Sequence, residues 1–253
     1  MSAQVADVHP GQPGPERARL LVVVAVPAEA EAVLRGLPGG AAGLTLPGGV
    51  LHRCTGVPVD VLAAGVGPAA AAAAATTALA ARPYGLVASA GIAGGFAPHA
   101  PVGATVLAGS IVAADLGAET PEGFADVAEL GFGTALHTPP PTVVALAERA
   151  LAAHAVDAVT GPVLTVSTVT GSAERAAVLA ARHPGAAAEA MEGFGVAEAA
   201  VRFGVPAFEL RTVSNPVGPR DRAAWRIGEA LAALERAFAA LPVRELIEEA
   251  GCG

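Results

Sequence analysis

Two glutamates follow the first apolar run of the chain, where a carboxylate could act on a bound substrate. The run Leu20 to Val26 is rich in β-branched residues and predicts a buried strand, and Glu29 and Glu31 lie at the start of the helix that follows. A carboxylate that points into the crevice at the strand end is a candidate general base. Glutamates in a first helical turn are equally common on surfaces, where the helix dipole favours them. The pattern therefore leaves the role and the choice between the two open.

A second polar group lies in the C-terminal half of the chain. Met191 and Glu192 fall where a strand or loop turns into a helix, and Arg211 lies on a strand that ends in Ser214 and Asn215. Taken alone, a methionine is more often core than contact, and a glutamate at a helix start is usually solvated. An asparagine before a proline is also a routine turn signal. These residues become a site only if the fold brings them to one sheet edge.

Two glycine-rich segments allow close approach to the backbone. Gly65 to Ala70 matches G-x-G-x-x-A, but dinucleotide binding needs an acidic residue about 20 positions on. The strand there ends in Ser89 to Gly91 without a carboxylate, so a tight strand-to-helix turn is the better interpretation. In Ser89 to Phe96, glycines weaken any regular element but let a ligand reach exposed N–H donors. A purely structural glycine turn remains the alternative for that segment.

Apolar strands alternate with helical stretches from Leu20 onward. This order predicts one three-layer α/β domain over residues 20–250, with a largely parallel, mixed sheet covered on both faces. Ligands of such sheets gather at the carboxyl ends of the strands. The segments expected there follow Val26, Ala64, Ser89, Val169 and Val213. Residues 116–138 are long for a plain connection, which is typical of a lid or binding loop, and residues 221–241 predict one long closing helix.

Composition excludes several classes of protein. A net charge of −8 with 15 Lys and Arg argues against a nucleic-acid binder, which would show a basic stripe. The most apolar stretch, Val57 to Ala81, contains Asp60 and Pro68 and is mostly alanine, so no membrane span is expected. Histidine and cysteine spacing suggests no metal site, and serine or P-loop motifs are missing from the sequence. Two separate cysteines suit reduced thiols in the cytoplasm.

The N-terminal residues 1–19 are polar and rich in proline and glycine. They lack the basic start and apolar run of a signal peptide and are expected to form a loose tail.

Taken in order, these motifs resemble the purine nucleoside phosphorylase and nucleosidase superfamily, from about Leu20 to Phe238. Within it, "MEGFG" and "SNPVGPRDR" are most similar to futalosine hydrolases, which release hypoxanthine from a ribose that bears a carboxyphenyl-ketone arm in the alternative menaquinone pathway. The resemblance implies a homodimer or higher homo-oligomer without cofactor or metal, with the 116–138 loop as interface or lid.

The resemblance also assigns roles. Met191 packs beneath the ribose, and Glu192 accepts hydrogen bonds from its hydroxyls. Glu31 is the expected activator of water, with Glu29 as its rival. The other residues expected to line the substrate are Ala93, Gly94, Val169, Ser214 and Arg211. Arg211, Arg220 and Arg222 are near enough in sequence to meet the arm's carboxylate, although the last two are equally consistent with solvated side chains.

Two departures from adenine-specific relatives bear on the substrate. Asn215 stands where those enzymes carry an aspartic acid that protonates purine N7, and Ala190 stands where they often place a glutamate. An amide accepts from N7–H and donates to a 6-oxo group, which favours hypoxanthine or guanine. The acidic segment after the first strand disfavours bound phosphate, so water is the expected nucleophile. Another purine nucleosidase or phosphorylase, or a silent nucleoside-binding protein, remains the alternative.

Overall fold

The computed structural model describes residues 18–47 and 49–252, which form a single three-layer α/β domain. The fold class predicted from the sequence is confirmed. Most of the expected N-terminal tail, residues 1–17, lies outside the described residues. Its last two positions belong to the folded body, because Nε of Arg19 donates a 2.9 Å hydrogen bond to Asp60.

Twelve strands and seven α-helices occur in the described ranges. The strands are β1 (Leu20–Val24), β2 (Ala41–Leu46), β3 (Gly49–Cys54), β4 (Val59–Ala63), β5 (Leu86–Gly95), β6 (Thr105–Ala113), β7 (Gly117–Thr120), β8 (Gly123–Asp126), β9 (Leu136–His137), β10 (Ala158–Thr165), β11 (Ala188–Ala190) and β12 (Ala207–Pro216). The helices are α1 (Pro27–Gly36), α2 (Pro68–Ala81), α3 (Pro141–Ala153), α4 (Ala173–Arg182), α5 (Gly193–Arg202), α6 (Ile227–Ala240) and α7 (Val243–Ala250).

The main sheet has the strand order β11-β10-β6-β12-β5-β1-β4-β3-β2 and is mixed. Strands β4, β1, β5 and β12 lie side by side in parallel, so their carboxyl ends meet at one edge. Strand β12 pairs antiparallel with β6, and β2 and β3 add an antiparallel extension. The parallel part of the sheet is the one expected to carry a ligand.

One end of the sheet closes on itself. Strand β11 also pairs antiparallel with the end of β5, with Glu189 opposite Gly94, so β5, β12, β6, β10 and β11 form a ring. This pairing brings the residues that follow β11 to the glycine-rich end of β5. The sequence alone did not predict this closure.

Strand β1 shows how the layers form. Its residues are all buried, and alternate side chains face opposite sides of the sheet. Leu20, Val22 and Val24 pack with α1, α3, α6 and α7, whereas Leu21 and Val23 pack with α2 and α5. Helices on both faces explain why the parallel strands are continuous apolar runs.

The alanine-rich helix α2 packs closely on α5. The turn before it is the expected tight one: Gly65 and Gly67 adopt positive φ, and Pro68 opens the helix. A Cβ at Gly195 would overlap the carbonyl of Pro68, so only glycine permits this approach. In the part of the chain that the structure describes, no helix has the length and apolarity to cross a bilayer.

Three elements differ from the sequence prediction. The closing helix is broken: a single 3-10 turn covers Arg222–Ala224, and the backbone N–H of Arg226 donates to the carbonyl of Ser214 before α6 begins. Helix α7 was not predicted, because its eight residues are too short for a clear helical period. Residues 116–138, predicted as a lid or binding loop, carry the β7–β8 hairpin and β9.

Candidate active site

Glu29 is buried at the carboxyl end of β1. It is the third residue of α1, and its carboxylate turns back over the strand end, with 3% of the residue exposed. Its Oε2 accepts hydrogen bonds from the backbone N–H groups of Ala25 and Val26, at 2.9 and 3.2 Å. Its Oε1 accepts from the N–H of Ile92 on β5, at 2.8 Å. Burial is the main reason why the pKa of the Glu29 carboxyl is raised above its usual value.

Glu192 precedes the first residue of α5 and is almost as deeply buried. Its Oε1 accepts from the N–H of Gly67, at 3.2 Å, and its Oε2 accepts from the N–H of Met191, at 3.3 Å. The same Oε2 accepts from Nη1 of Arg211, also at 3.3 Å. The side chain thus links the turn after β4 with β12. It lies at the carboxyl ends of the parallel strands, where a ligand is expected.

A wholly buried guanidinium organises this cluster. Arg211 on β12 donates from Nε to Oε1 of Glu209 at 2.8 Å and from Nη2 to Oγ of Ser89 at 2.8 Å, in addition to its bond to Glu192. Register explains the contacts, since Glu209 and Arg211 lie opposite Ser89 and Gly91 of β5. Nearby negative charges, those of Glu209, Glu192 and Glu29, raise the pKa of Arg211 although burial opposes the rise.

We use the term crevice for the space at the carboxyl ends of the parallel strands, beside Glu29 and Glu192. The ends of β5 and β12 also border it. A register shift between Val213 and Asn215 turns the half-buried amide of Asn215 toward Gly94, where a Cβ would lie 3.4 Å from Nδ2. Oγ of Ser214 donates to Oδ1 of Asn215 at 2.9 Å, and Nδ2 of Asn215 donates to the carbonyl of Pro216 at 3.0 Å. Within the described part of the chain, one lone pair of Oδ1 and one hydrogen of Nδ2 have no partner and could bind a ligand.

A further carboxylate supports the loop after β10. Glu189 is buried on β11 and accepts a 2.8 Å hydrogen bond from the N–H of Thr170 and a second bond from its hydroxyl. Burial raises the pKa of the Glu189 carboxyl. These bonds hold Val169, which is 40% exposed, and place it beside the segment that leads to the half-buried Met191.

Two sequence predictions need correction. Glu31 is exposed and lines a separate depression with Arg35 and Cys54, so the structure does not bring it to the crevice. Residues 29 and 31 are about 200° apart around the helix, and packing turns only Glu29 inward. Arg211 was expected to meet a substrate carboxylate, but its guanidinium is fully buried and bound to protein groups.

The other two arginines of this region are exposed. The guanidinium carbons of Arg220 and Arg222 lie 5.5 and 5.6 Å from the ring centre of Trp225, which is the single tryptophan of the chain. The stem of Arg220 also passes over Gly171, in the loop that Glu189 holds. Trp225 directly precedes Arg226, whose N–H binds the end of β12. The three side chains therefore lie at the rim of the crevice, near Asn215.

Chemically, the strand ends carry a buried carboxylate of raised pKa, a second carboxylate at a helix start, and an amide beside Gly94 of β5. Within the described residues, no group of three potential ligands could hold a metal ion. The arrangement suits acid–base work on a neutral ligand with hydroxyl groups.

Sequence comparisons place the chain among known proteins. The family model described as "Phosphorylase superfamily" matches residues 19–248. A futalosine hydrolase of Streptomyces coelicolor is 60% identical over 232 residues, which cover 89% of this chain and 96% of that protein. The chain belongs to the futalosine hydrolase family of the phosphorylase superfamily.

Other members and relatives agree with this placement. A futalosine hydrolase of Acidothermus cellulolyticus is 49% identical over 87% of this chain and 89% of its own length. The 5'-methylthioadenosine/S-adenosylhomocysteine nucleosidase of Colwellia psychrerythraea, solved with adenine, superposes with a TM-score of 0.76 at 23% identity, over 92% of this chain and 96% of its own. The futalosine hydrolase of Helicobacter pylori gives 0.75 at 18% identity, over 93% and 97%. These two likenesses establish the fold.

Sequence analysis missed three buried residues of this family member: Glu209, Ser89 and Thr170. A signal existed for Glu209, because residues two apart on a strand share a face and Glu209 precedes Arg211 at that spacing. An acidic and a basic residue on one face of an otherwise apolar strand indicate a buried pair. Ser89 and Thr170 gave no comparable signal, since their partners lie far away in sequence.

Proposed function

We propose that this protein hydrolyses the N-glycosidic bond of futalosine and releases hypoxanthine and dehypoxanthine futalosine, a step of menaquinone biosynthesis. The observation that carries the proposal is the amide of Asn215, held by Ser214 opposite Gly94 of β5, the same strand whose Ile92 N–H binds the buried carboxylate of Glu29. The high identity to futalosine hydrolases over nearly the whole chain supports the same substrate.

Glu29 takes the role first expected of Glu31. Its carboxylate is buried, raised in pKa and held by three backbone N–H groups, so it can orient a water molecule and accept its proton. Attack by that water on the anomeric carbon breaks the bond to the base through an oxocarbenium-like transition state. A positioned general base contributes about 10²–10⁴-fold to such a step.

Glu192 and Met191 hold the sugar. An ionised carboxylate has no donor of its own and can accept from two neighbouring hydroxyls of a ribose. Glu192 meets this need because it is fixed by Gly67 and Arg211, and the half-buried Met191 beside it offers an apolar surface to the ring.

Asn215 stabilises the departing base. The departing hypoxanthine takes up a proton at N7 from solvent water, because an amide has no proton to give. The free lone pair of Asn215 then accepts from that N7–H, while its free N–H donates to O6. Ala93 and Gly94 lie opposite it on β5 and let the base approach the backbone. Adenine lacks the 6-oxo acceptor, so the same amide disfavours it as a leaving group.

The arm of the substrate points toward Arg220, Arg222 and Trp225 in this proposal. Guanidinium groups bind carboxylates, and an indole face packs on a phenyl ring. Their position at the rim, beside the 169–171 loop, suits a group that extends from the sugar.

The decisive experiment is a nucleoside panel. Futalosine, inosine and methylthioadenosine are incubated with the protein, with and without phosphate, and free base and sugar phosphate are quantified by chromatography. We expect hypoxanthine from futalosine at a rate independent of phosphate. Phosphate-dependent release would indicate a phosphorylase, preferential release of adenine would indicate an adenosine-type nucleosidase, and an intact nucleoside would indicate a binding protein.

Assembly and location complete the proposal. A homodimer or higher homo-oligomer in the cytoplasm is consistent with the family resemblance. Phe132 in the 116–138 segment is 82% exposed, and Leu116 and Leu136 are each 46% exposed, which suits a contact with a second copy. Light scattering of the purified protein measures the mass directly, and a monomer would contradict the proposed assembly.

A further inference from the structure

Glu209 is a buried glutamate to which the proposed reaction mechanism assigns no role. It lies on β12, is 0% exposed, and its Oε1 accepts a 2.8 Å hydrogen bond from Nε of Arg211. Among the described residues, its Oε2 has no hydrogen-bond partner. Burying a carboxylate in this way is costly unless its charge is matched by a neighbouring one. The matching charge is the guanidinium of Arg211.

The side chain is also fitted to the start of α5. A Cβ at Gly193 would overlap both carboxylate oxygens of Glu209, so the acid packs directly against the first residue of that helix. A helix start favours negative charge. Any larger residue at 193 would displace Glu209 from Arg211.

Arg211 lies between Glu209 and the two carboxylates of the crevice. Its Nη1 binds Glu192 at 3.3 Å, and a Cβ built on Gly91 would lie 2.5 Å from Oε1 of Glu29 and 3.0 Å from that same Nη1. The guanidinium therefore borders Glu29 and holds Glu192, yet its shorter ion pair, at 2.8 Å, is the one to Glu209 on its far side.

An uncompensated guanidinium at this place would work against the reaction. Its positive charge would offset the negative charge that Glu192 presents to the substrate and would make Glu29 a weaker base. It would also disfavour a cationic ribosyl transition state. We propose that Glu209 is a positioning residue whose buried negative charge balances Arg211 from behind, so that Arg211 orients Glu192 without neutralising the carboxylates that face the substrate. This inference rests on the proposed nucleosidase function.

The charged groups that face one another here come from three elements. Glu29 on α1 faces Arg211 of β12 and Glu192 at the start of α5, and Glu209 faces the same arginine and the same glutamate. Burial raises the pKa of the Glu209 carboxyl, and the charge and hydrogen bond of Arg211 oppose that rise. An arginine keeps its proton in proteins, so its positive charge is present throughout the working pH range.

The test is the pH profile of kcat for Glu209→Gln. Glutamine keeps the shape of the side chain and can still accept from Arg211, but it removes the charge. We expect the acidic limb, on which Glu29 must lose its proton, to move down by about one pH unit, and kcat at the plateau to fall about tenfold. A lower Tm with the limb unmoved would mean a structural role only and would overturn the inference.

Two further variants sharpen the result. Ser89→Ala removes a neutral partner of the same guanidinium and should leave the limb in place. Glu209→Asp keeps the charge and should keep the limb within about 0.3 pH units of wild type. If either variant moves the limb as far as Glu209→Gln does, charge compensation is not the cause and the inference fails.

Folding and function are separated as follows. If Glu209→Gln does not fold, the double variant Glu209→Gln with Arg211→Gln removes opposite charges together, and its limb should lie at the wild-type position or above it. A limb below wild type would overturn the inference. If wild type releases no base from futalosine, the proposed function fails, but the titration of the Glu29 carboxyl by carbon NMR, in wild type and variant, still decides the role of Glu209.

Discussion

The hydroxyl of Ser214 donates a 2.9 Å hydrogen bond to Oδ1 of Asn215 and so fixes which end of the amide faces which way. Nδ2 is held in turn by the carbonyl of Pro216. Among the described residues, one lone pair of Oδ1 and one hydrogen of Nδ2 have no partner. In the proposed reaction, that pair matches the N7–H and O6 of the departing 6-oxopurine, and Asn215 selects the base.

Changing Asn215 to aspartate should alter the choice of base. Asn215→Asp keeps an acceptor for Ser214 but loses the donor for O6, and it gains a group that can protonate N7. We expect kcat/KM for futalosine to fall at least tenfold, with a smaller loss or a gain for methylthioadenosine. Parallel assays of hypoxanthine and adenine release measure the ratio. An unchanged ratio would show that Asn215 does not contact the base.

Adding one methyl group at Gly91 should displace Glu29, the proposed general base. The Cβ of alanine at this position would lie 2.5 Å from Oε1 of Glu29, and the φ of +149° already disfavours a side chain. For Gly91→Ala we expect kcat to fall about 10²-fold, which approaches the fall expected when the carboxylate of Glu29 is removed. We also expect Tm to fall by several degrees. Gly103→Ala, which has open space around its Cβ and also a positive φ, is the matched control for backbone strain.

The two glutamates of α1 should differ sharply. Glu29→Gln should lower kcat by about 10²–10⁴-fold, because glutamine cannot accept the proton of water. Glu31→Gln should leave kcat unchanged, since that side chain is exposed and outside the crevice. Steady-state kinetics with futalosine compare both variants. The reverse pattern would restore Glu31 as the base and remove Glu29 from the mechanism.

Acidity should inactivate the wild-type enzyme earlier than an ordinary glutamate would. Burial raises the pKa of Glu29 above the usual 4.5, and the base works only when ionised. The acidic limb of kcat should therefore lie above pH 4.5 and should be lost in Glu29→Gln. The free energy of unfolding changes in the opposite direction to activity. Because the pKa of Glu29 is raised in the folded state, this group stabilises the fold at low pH, and that stabilisation is lost as the pH rises through the folded-state pKa. A limb at or below 4.5 would contradict the assignment.

Removing the exposed arginines should affect one substrate only. The double variant Arg220→Ala with Arg222→Ala should raise KM for futalosine about tenfold, as expected for one lost charged hydrogen bond, and leave KM for inosine unchanged, because inosine lacks the arm. Arg149→Ala, on α3 and away from the crevice, serves as a control for the loss of surface charge. The fluorescence of the single tryptophan, Trp225, reports binding directly. An equal change for both substrates would exclude a role in arm recognition.

Local patterns in the sequence determined the elements and their order. Leu20 to Val26 is apolar and β-branched, Gly65 to Pro68 is a turn followed by a helix start, and a proline directly follows Asn215 at the end of its strand. Each of these signals depends on neighbours within a few residues, so it could be interpreted without knowing the rest of the fold. Parallel strands then imply a common edge, and this predicted that Glu192 and Asn215 lie near it.

Tertiary packing alone decided which charged side chains enter the crevice. No sequence pattern distinguishes Glu29 from Glu31 as the buried glutamate. Burial of Ala30 and Val33 against the sheet fixes the rotation of α1 and turns Glu29 inward. Helices α5 and α6 pack on β12, where Arg211 is fully buried and bound to Glu209 and Glu192, which converts an expected substrate contact into an internal ion pair. The contacts of Arg211 with Glu192 and Ser89 join residues far apart in the chain, and no local pattern encodes them because their energy arises only when the folded layers exclude water. The two-residue spacing of Glu209 and Arg211 is a local signal by contrast.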